Sequence, residues 1–487
     1  MLTTLLSSHS ATQLSSMIRA GEVSRNELVS ELIATITRDN PRLNAVTHLW
    51  PDRALKMATE FKDTGQPFAG IPILLKGLGQ SLKGEIDSGS SFLLKDNVAS
   101  ETNYFVKQLL KAGLIPVGAT NAPEFGFKNV TDSKLYGNAH NPWNVDYQPG
   151  GSSGGSAAAV GANWLPIAAG NDGGGSIRIP ASFSGTIGLK PTRGRVPTGP
   201  GEWRGWQGAS INFALTRNIQ DTATLLDAMS VIQYAAPFQV PLPQRSFRDT
   251  LSDLPQNLRI AFSTKSPVKT PVSNAAKEAV RQAVAFLRAH GYRVDEVDAP
   301  VDGVQLMKTY YMMNAGETAT MFANMPLDDA TIHAHVEPLT WALAVTGRSI
   351  SAVQYSQALS FWDQVTATMD DFSSQYDLYL TPTTAHQAPR IDQPLVSAEN
   401  LDKLTHIADF SPAEQLQLIW DQWLAALTLS PFTQLANISG QPAISLPTHV
   451  ENGLPIGIQL IARKGREDLL LQMGNLFEAD GALKFKM

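Results

Sequence analysis

Apolar positions in the first 65 residues recur at helical spacing. Ser24-Arg25-Asn26-Glu27 has the form of a capping box, in which hydroxyl and carboxylate each satisfy a free backbone N–H at a helix start. Leu28, Leu32, Ile33 and Ile36 then fall on one face, and Asn40-Pro41 predicts the stop, because proline disfavours a helical residue before it. The first 65 residues therefore read as helices. Beyond them, short apolar runs alternate with helical patterns. Ile71-Pro72-Ile73-Leu74-Leu75 and Leu114-Ile115-Pro116-Val117 predict buried strands, with a helix over about 101–112 closed by Gly113. The alternation returns with a strand near 259–262, a helix over about 272–290 ended by Gly291, and a strand near 292–298. Further strands are predicted at 378–380, 442–446 and 455–461. This order predicts an α/β fold with a largely parallel sheet covered by helices on both faces. Residues 235–244 are proline-rich and aperiodic, either a link between domains or a surface connection within one.

Composition narrows the function classes. A chain of 487 residues can bury roughly three quarters of its unfolded surface and needs no staples. It carries 38 basic and 44 acidic side chains with no basic block, which argues against a nucleic-acid partner. No apolar run approaches the ~20 residues that cross a bilayer, and the apolar start lacks a secretory pattern, so no membrane role and a cytoplasmic location are expected. There is no cysteine, which removes disulfides, thiolate metal sites and a thiol nucleophile. His333 and His335 have no further ligand nearby in sequence and no His-Glu-x-x-His pattern exists, so no metal site is expected.

Glycine is unevenly spread: 14 of the 37 fall within residues 149–201. There Gly150-Gly151-Ser152-Ser153-Gly154-Gly155-Ser156 is followed by Gly170-Asn171-Asp172-Gly173-Gly174-Gly175-Ser176-Ile177-Arg178-Ile179-Pro180. Bare backbone amides in such turns suit a phosphate or a developing oxyanion. A phosphate loop would end in Gly-Lys-Ser/Thr, yet no lysine lies between residues 135 and 189. A nucleophile elbow at Ser152 would need an apolar strand before it, and residues 144–149 make a poor one. Tight turns without chemistry remain a third reading.

The stretch from Gly150 to Pro180 resembles the signature of the amidase signature family of serine hydrolases. The likeness extends to residues 70–76, similar to the segment bearing that family's catalytic lysine, and to 120–125, 136–143, 185–196 and the tail around Asn437 to Gln459. It covers most of the chain and weakens between about 235 and 375. The resemblance implies a single amidase-signature domain over 1–487, with a large mixed twisted sheet between helical layers. Residues 1–65 would pack on it as N-terminal helices, and about 235–430 would form a variable, substrate-pocket region.

The same resemblance implies amide hydrolysis without a cofactor, through a Ser–cis-Ser–Lys triad. Ser176 would be the nucleophile, Ser152 the bridging serine with a cis peptide bond, and Lys76 the base. The backbone N–H groups of Gly173, Gly174, Gly175 and Ser176 would form the oxyanion hole. Asn171, Arg178 and Trp341 are candidate substrate contacts, although Asp172 and Arg178 also fit a structural ion pair. The expected partner is a small amide, and the expected assembly a monomer or homodimer. The chemistry is coherent, since a serine hydroxyl needs a base and lysine serves only when burial makes it neutral near pH 7. Lys76 follows an apolar run, which makes such burial credible.

Departures are local. Gly77 stands where the family often has aspartate, and Asn171 and Gly173 where threonine is common. The 170–180 version resembles a subgroup that includes 6-aminohexanoate-cyclic-dimer hydrolase. The alternative is an amidotransferase A-type subunit working in a complex, which normally carries Met-Asp-Glu-Phe where this chain has Ala122-Pro123-Glu124-Phe125. Met307, Met312, Met313, Trp341, Trp420 and Trp423 suit either an apolar pocket or core positions at helical spacing.

Overall fold

The computed structural model describes residues 4–486. The strands in its first half are β1 (Val46–Leu49), β2 (Ile71–Lys76), β3 (Leu114–Thr120), β4 (Asp132–Ser133), β5 (Gly137–Asn138), β6 (Ile167–Asp172), β7 (Ile187–Lys190) and β8 (Ile211–Thr216). Those that follow are β9 (Arg259–Phe262), β10 (Arg293–Glu296), β11 (Leu378–Pro382), β12 (Ala443–Glu451) and β13 (Leu454–Ala462). Eleven of them form one sheet in the order β1-β3-β2-β6-β8-β7-β12-β13-β11-β9-β10, flanked by helices, while β4 and β5 pair separately.

The sheet is mixed and not largely parallel. Parallel pairing holds for β2 with β3 and β6, and for β9 with β10 and β11. The other pairings are antiparallel, because β6, β8 and β7 follow one another as neighbours and β12–β13 is a hairpin turned by Asn452 and Gly453, both at positive φ. Apolar runs alone do not carry strand direction.

The N-terminal capping box is present, with Ser24 N donating to Glu27 Oε2 at 2.7 Å and Glu27 N to Ser24 Oγ at 3.2 Å. Its helix runs Arg25–Leu43, past the expected stop, with Pro41 in its last turn. The carbonyl that loses its donor there belongs to Thr37, a residue exposed to solvent, where the loss costs least. Asn40 then closes the helix by accepting from the N–H groups of Ala45 and Val46. The first 65 residues are not all helical, since Val46–Leu49 adds an edge strand antiparallel to β3. The proline-rich segment is tied back to the body: Arg193 stacks over Phe238, and Arg195 donates to the Pro241 carbonyl at 2.6 Å.

Two apolar cores matter for the site. The larger buries the sheet and its covering helices. The second lies among the helices Gly303–Ala323, Pro338–Arg348 and Pro412–Leu429 and contains Met307, Tyr310, Tyr311 and Trp423.

Candidate active site

Lys76 is the last residue of β2, and Asp172 the last residue of its parallel neighbour β6. β2 is buried and apolar up to Lys76, and β6 is buried apart from half-buried Asn171 beside Asp172, so the sheet delivers these two charged groups to one edge, out of water. Lys76 is 1% exposed. Its Nζ donates to Ser152 Oγ at 2.7 Å and to Asn171 Oδ1 at 2.5 Å. Burial pushes its ammonium down from 10.5 to about 7, against the upward pull of the Asp172 carboxylate. Its backbone N–H donates to Gln80 Oε1, and Gln80 in turn holds the Gly170 carbonyl.

Ser152 sits in the loop before the helix Gly154–Gly161, and the Gly151–Ser152 peptide is cis. The loop lies tight on its surroundings. A Cβ at Gly151 would stand 2.5 Å from the Val130 carbonyl, and one at Gly150 would stand 2.6 Å from Pro180. The next residue links the two serine loops, with Ser153 N donating to the Ser176 carbonyl at 3.2 Å. Ser176 is half-buried and lines a cavity of about 70 Å³ together with Gly174, Ile179, Trp206, Tyr310 and Trp423.

The loop after β6 is shaped by the Asp172 carboxylate, which accepts from the N–H groups of Gly175 (2.7 Å) and Ile177 (3.2 Å), from Asn437 and from Arg178. Burial alone would raise that carboxyl, but the Arg178 charge and these hydrogen bonds outweigh it and hold it well below the usual range. Tyr310 donates its hydroxyl to the Gly173 carbonyl, and Thr433 donates to that of Gly174. A Cβ at 174 would stand 2.5 Å from the Tyr310 hydroxyl, so only glycine lets this strut close. Among the described residues, the N–H groups of Gly173, Gly174 and Ser176 have no acceptor. They are the donors left for a ligand. Gly175, expected among them, is not, because its N–H is spent on Asp172.

The expected substrate contacts need correction. Arg178 is fully buried, and its guanidinium is consumed by Asp172, Asn437, Gln459 and the Thr433 carbonyl, leaving no donor for a substrate. Asn171 accepts from Lys76 and donates to the Leu78 carbonyl, which ties it to the lysine and leaves one of its amide N–H groups without a partner among the described residues. Trp341 does not line the cavity, because its ring packs on His333 and beneath the Arg348 guanidinium. Of the methionines and tryptophans singled out in sequence, Met307 and Trp423 line the cavity. Gly77 is set against β3, where a Cβ would stand 2.7 Å from the Thr120 carbonyl. Sequence reasoning missed Gln80, Tyr310 and Thr433, which lie far from one another in the chain.

Arg178→Met is expected to lower unfolding free energy by about 3–5 kcal/mol, because it leaves Asp172 charged, buried and unpaired. Urea denaturation reads this directly, and a loss below about 1 kcal/mol would place the loop's stability elsewhere.

A buried, weakly basic lysine on a serine hydroxyl, beside a half-buried serine and free backbone N–H groups, is an arrangement suited to cleaving an amide. The chain is a member of the Amidase family, whose model matches residues 27–471. It is 46% identical to a lipoamidase of Enterococcus faecalis over 96% of its own length, and spans 63% of that longer relative. It is 34% identical to a 6-aminohexanoate-cyclic-dimer hydrolase of Paenarthrobacter ureafaciens, over 97% of this chain and 94% of that one. A solved structure of a 6-aminohexanoate cyclic dimer hydrolase with its substrate superposes with a TM-score of 0.86 at 32% identity. That match covers 99% of this chain and 98% of the other. No helix among the described residues is long and apolar enough to cross a membrane.

Proposed function

We propose that the protein is a single-domain amidase that hydrolyses carboxylic amides through Ser176, Ser152 and Lys76 by way of an acyl-enzyme. The observation that carries this reading is the 2.7 Å hydrogen bond from a buried Lys76, neutral above about pH 7, to Ser152 Oγ. Neutral Lys76 takes the Ser152 hydroxyl proton as Ser152 takes that of Ser176, and Ser176 Oγ bonds to the amide carbon. The oxygen, now negative, is received by the free N–H groups of Gly173, Gly174 and Ser176; losing one such donor typically costs 10²–10³ in rate. As the C–N bond breaks, the proton returns from Lys76 through Ser152 to the leaving nitrogen. Water then adds to the ester, its proton following the same relay, and releases the acid and Ser176. The aromatic and apolar lining of the cavity supports an acyl group that is apolar. The names of the relatives, a lipoamidase and a cyclic-dimer hydrolase, are consistent with an acid bearing an alkyl chain.

The isolated chain is expected to release ammonia from hexanamide without glutamine or a partner, and to be labelled by a fluorophosphonate at Ser176. Activity that required a second subunit and glutamine would replace this reading with the amidotransferase one.

A further inference from the structure

The three backbone N–H groups left free around Ser176 are not held alike. In a trans peptide the carbonyl and the N–H point to opposite sides of one plane, so whatever grips the carbonyl aims the N–H. Behind the Gly173 N–H, the Asp172 carbonyl accepts from Asn437 Nδ2 at 2.9 Å. Behind the Ser176 N–H, the Gly175 carbonyl accepts from the Ile179 N–H at 2.7 Å, an anchor supplied by the loop's own following turn. Behind the Gly174 N–H, the Gly173 carbonyl accepts from the Tyr310 hydroxyl at 3.1 Å, and no other donor among the described residues reaches it. The next peptide needs no such help, since it is pinned at both ends: Thr433 donates to the Gly174 carbonyl and the Gly175 N–H donates to Asp172. One donor of the three therefore depends on a single side chain from the helix Gly303–Ala323, whose Met307 and Tyr311 also line the cavity.

That hydroxyl is firmly placed. Tyr310 is 6% exposed, with its ring stacked on Trp362 at 6.4 Å between centroids and edge-on to Trp206 at 6.0 Å. Trp362 is itself fixed, its Nε1 donating to Thr309 Oγ1 at 3.0 Å. Burial pushes the Tyr310 hydroxyl well above its ordinary range, so it stays a donor wherever Lys76 titrates. A hydrogen bond to a carbonyl also polarises its amide and strengthens the N–H on the far side.

We propose that Tyr310 is a positioning residue of the oxyanion hole: by holding the Gly173 carbonyl, it aims the Gly174 N–H at the oxygen that becomes negative. It acts through that peptide and not on the reacting atoms. The helix that walls the cavity thereby also completes the site that stabilises charge. This inference rests on the triad reading, in which the amide oxygen is received by these donors.

Tyr310→Phe removes the hydroxyl and keeps the ring between Trp206 and Trp362. For hexanamide, kcat is expected to fall by about 10–100-fold, less than for outright loss of a donor, with KM within about twofold. The companion probe is 1,1,1-trifluoroheptan-2-one, which carries the same acyl chain. Its carbonyl carbon bonds Ser176 Oγ, the ketone oxygen takes the electron pair, and the serine proton passes to Lys76, so its inhibition constant reads the oxyanion hole. That constant is expected to rise by the same factor as kcat falls. Tyr310→Met, a flexible filling, is expected to show the same split between kcat and KM. Unchanged kcat and inhibition constant, with melting temperatures intact, would overturn the proposal. So would a loss of turnover that only tracks a lowered melting temperature while the inhibition constant stays put, since that marks a structural role. The fluorophosphonate label separates this failure from that of the triad. Label on Ser176 of the wild-type protein keeps the triad standing whatever Tyr310 does, and label on another residue overturns both.

Discussion

Ser176→Ala protein is expected to lose amide turnover by at least ~10⁴-fold while keeping its melting temperature, since the members of a nucleophile–base relay fail together when one is removed. Structure gives the reason for the second half of that statement. Ser176 is half-buried at the cavity, and the loop's shape depends on its backbone, on Asp172 and on Arg178, not on its hydroxyl. Removing one oxygen leaves the donors of Gly173 and Gly174 in place, so residual activity from oxyanion stabilisation and binding is expected. Ammonia release from hexanamide over long incubations, beside a thermal melt, checks both halves. A rate within tenfold of wild type would move the nucleophile to another hydroxyl, with Ser152 and Ser153 the nearest alternatives on the facing loop.

The second large effect is a pH dependence set by Lys76. Its ammonium is lowered to about 7, so the fraction able to accept a proton is small at pH 6 and nearly complete by pH 8. The rate constant kcat/KM is therefore expected to rise with pH through about 7 and then level. Lys76→Ala should remove that limb and lower the rate by about 10²–10⁴-fold. Lys76→Arg should do no better, because a guanidinium stays charged throughout this range and cannot serve as base. A variant at position 76 that kept a rising limb near pH 7 would assign the titration to some other group.

How much of this was legible depends on how locally each feature is written. Lys76 ends an apolar run that is itself a strand, and the two serine loops are contiguous glycine-rich segments, so the chain shows them without any long-range information. The supports are different. Tyr310, Thr433 and Asn437 reach the loop only after the sheet has formed, as does the bond from Gln80 to the Gly170 carbonyl, and each alone is an ordinary polar side chain. Arg178 looked like a ligand contact because a charged residue beside a nucleophile invites that reading. Its complete set of partners comes from residues 172, 433, 437 and 459. Gly175 failed for the same reason, since its amide was claimed by a carboxylate three positions earlier. Among strands, β6 is hard to see because Ala168-Ala169-Gly170 has little preference for a pleated surface, and the antiparallel β6–β8–β7 block that makes the sheet mixed went with it.

The separation between the two apolar cores has a practical meaning for anyone redesigning this enzyme. Lys76 and Ser152 are anchored beside the sheet, whereas much of the cavity wall belongs to a different set of helices. Tyr310 and Thr433 are the rivets between the two halves and should be left alone. Met307, Trp423 and Leu427 make no hydrogen bond to Lys76, Ser152 or Ser176, so libraries confined to them are expected to change which amides are accepted without retuning the proposed proton relay.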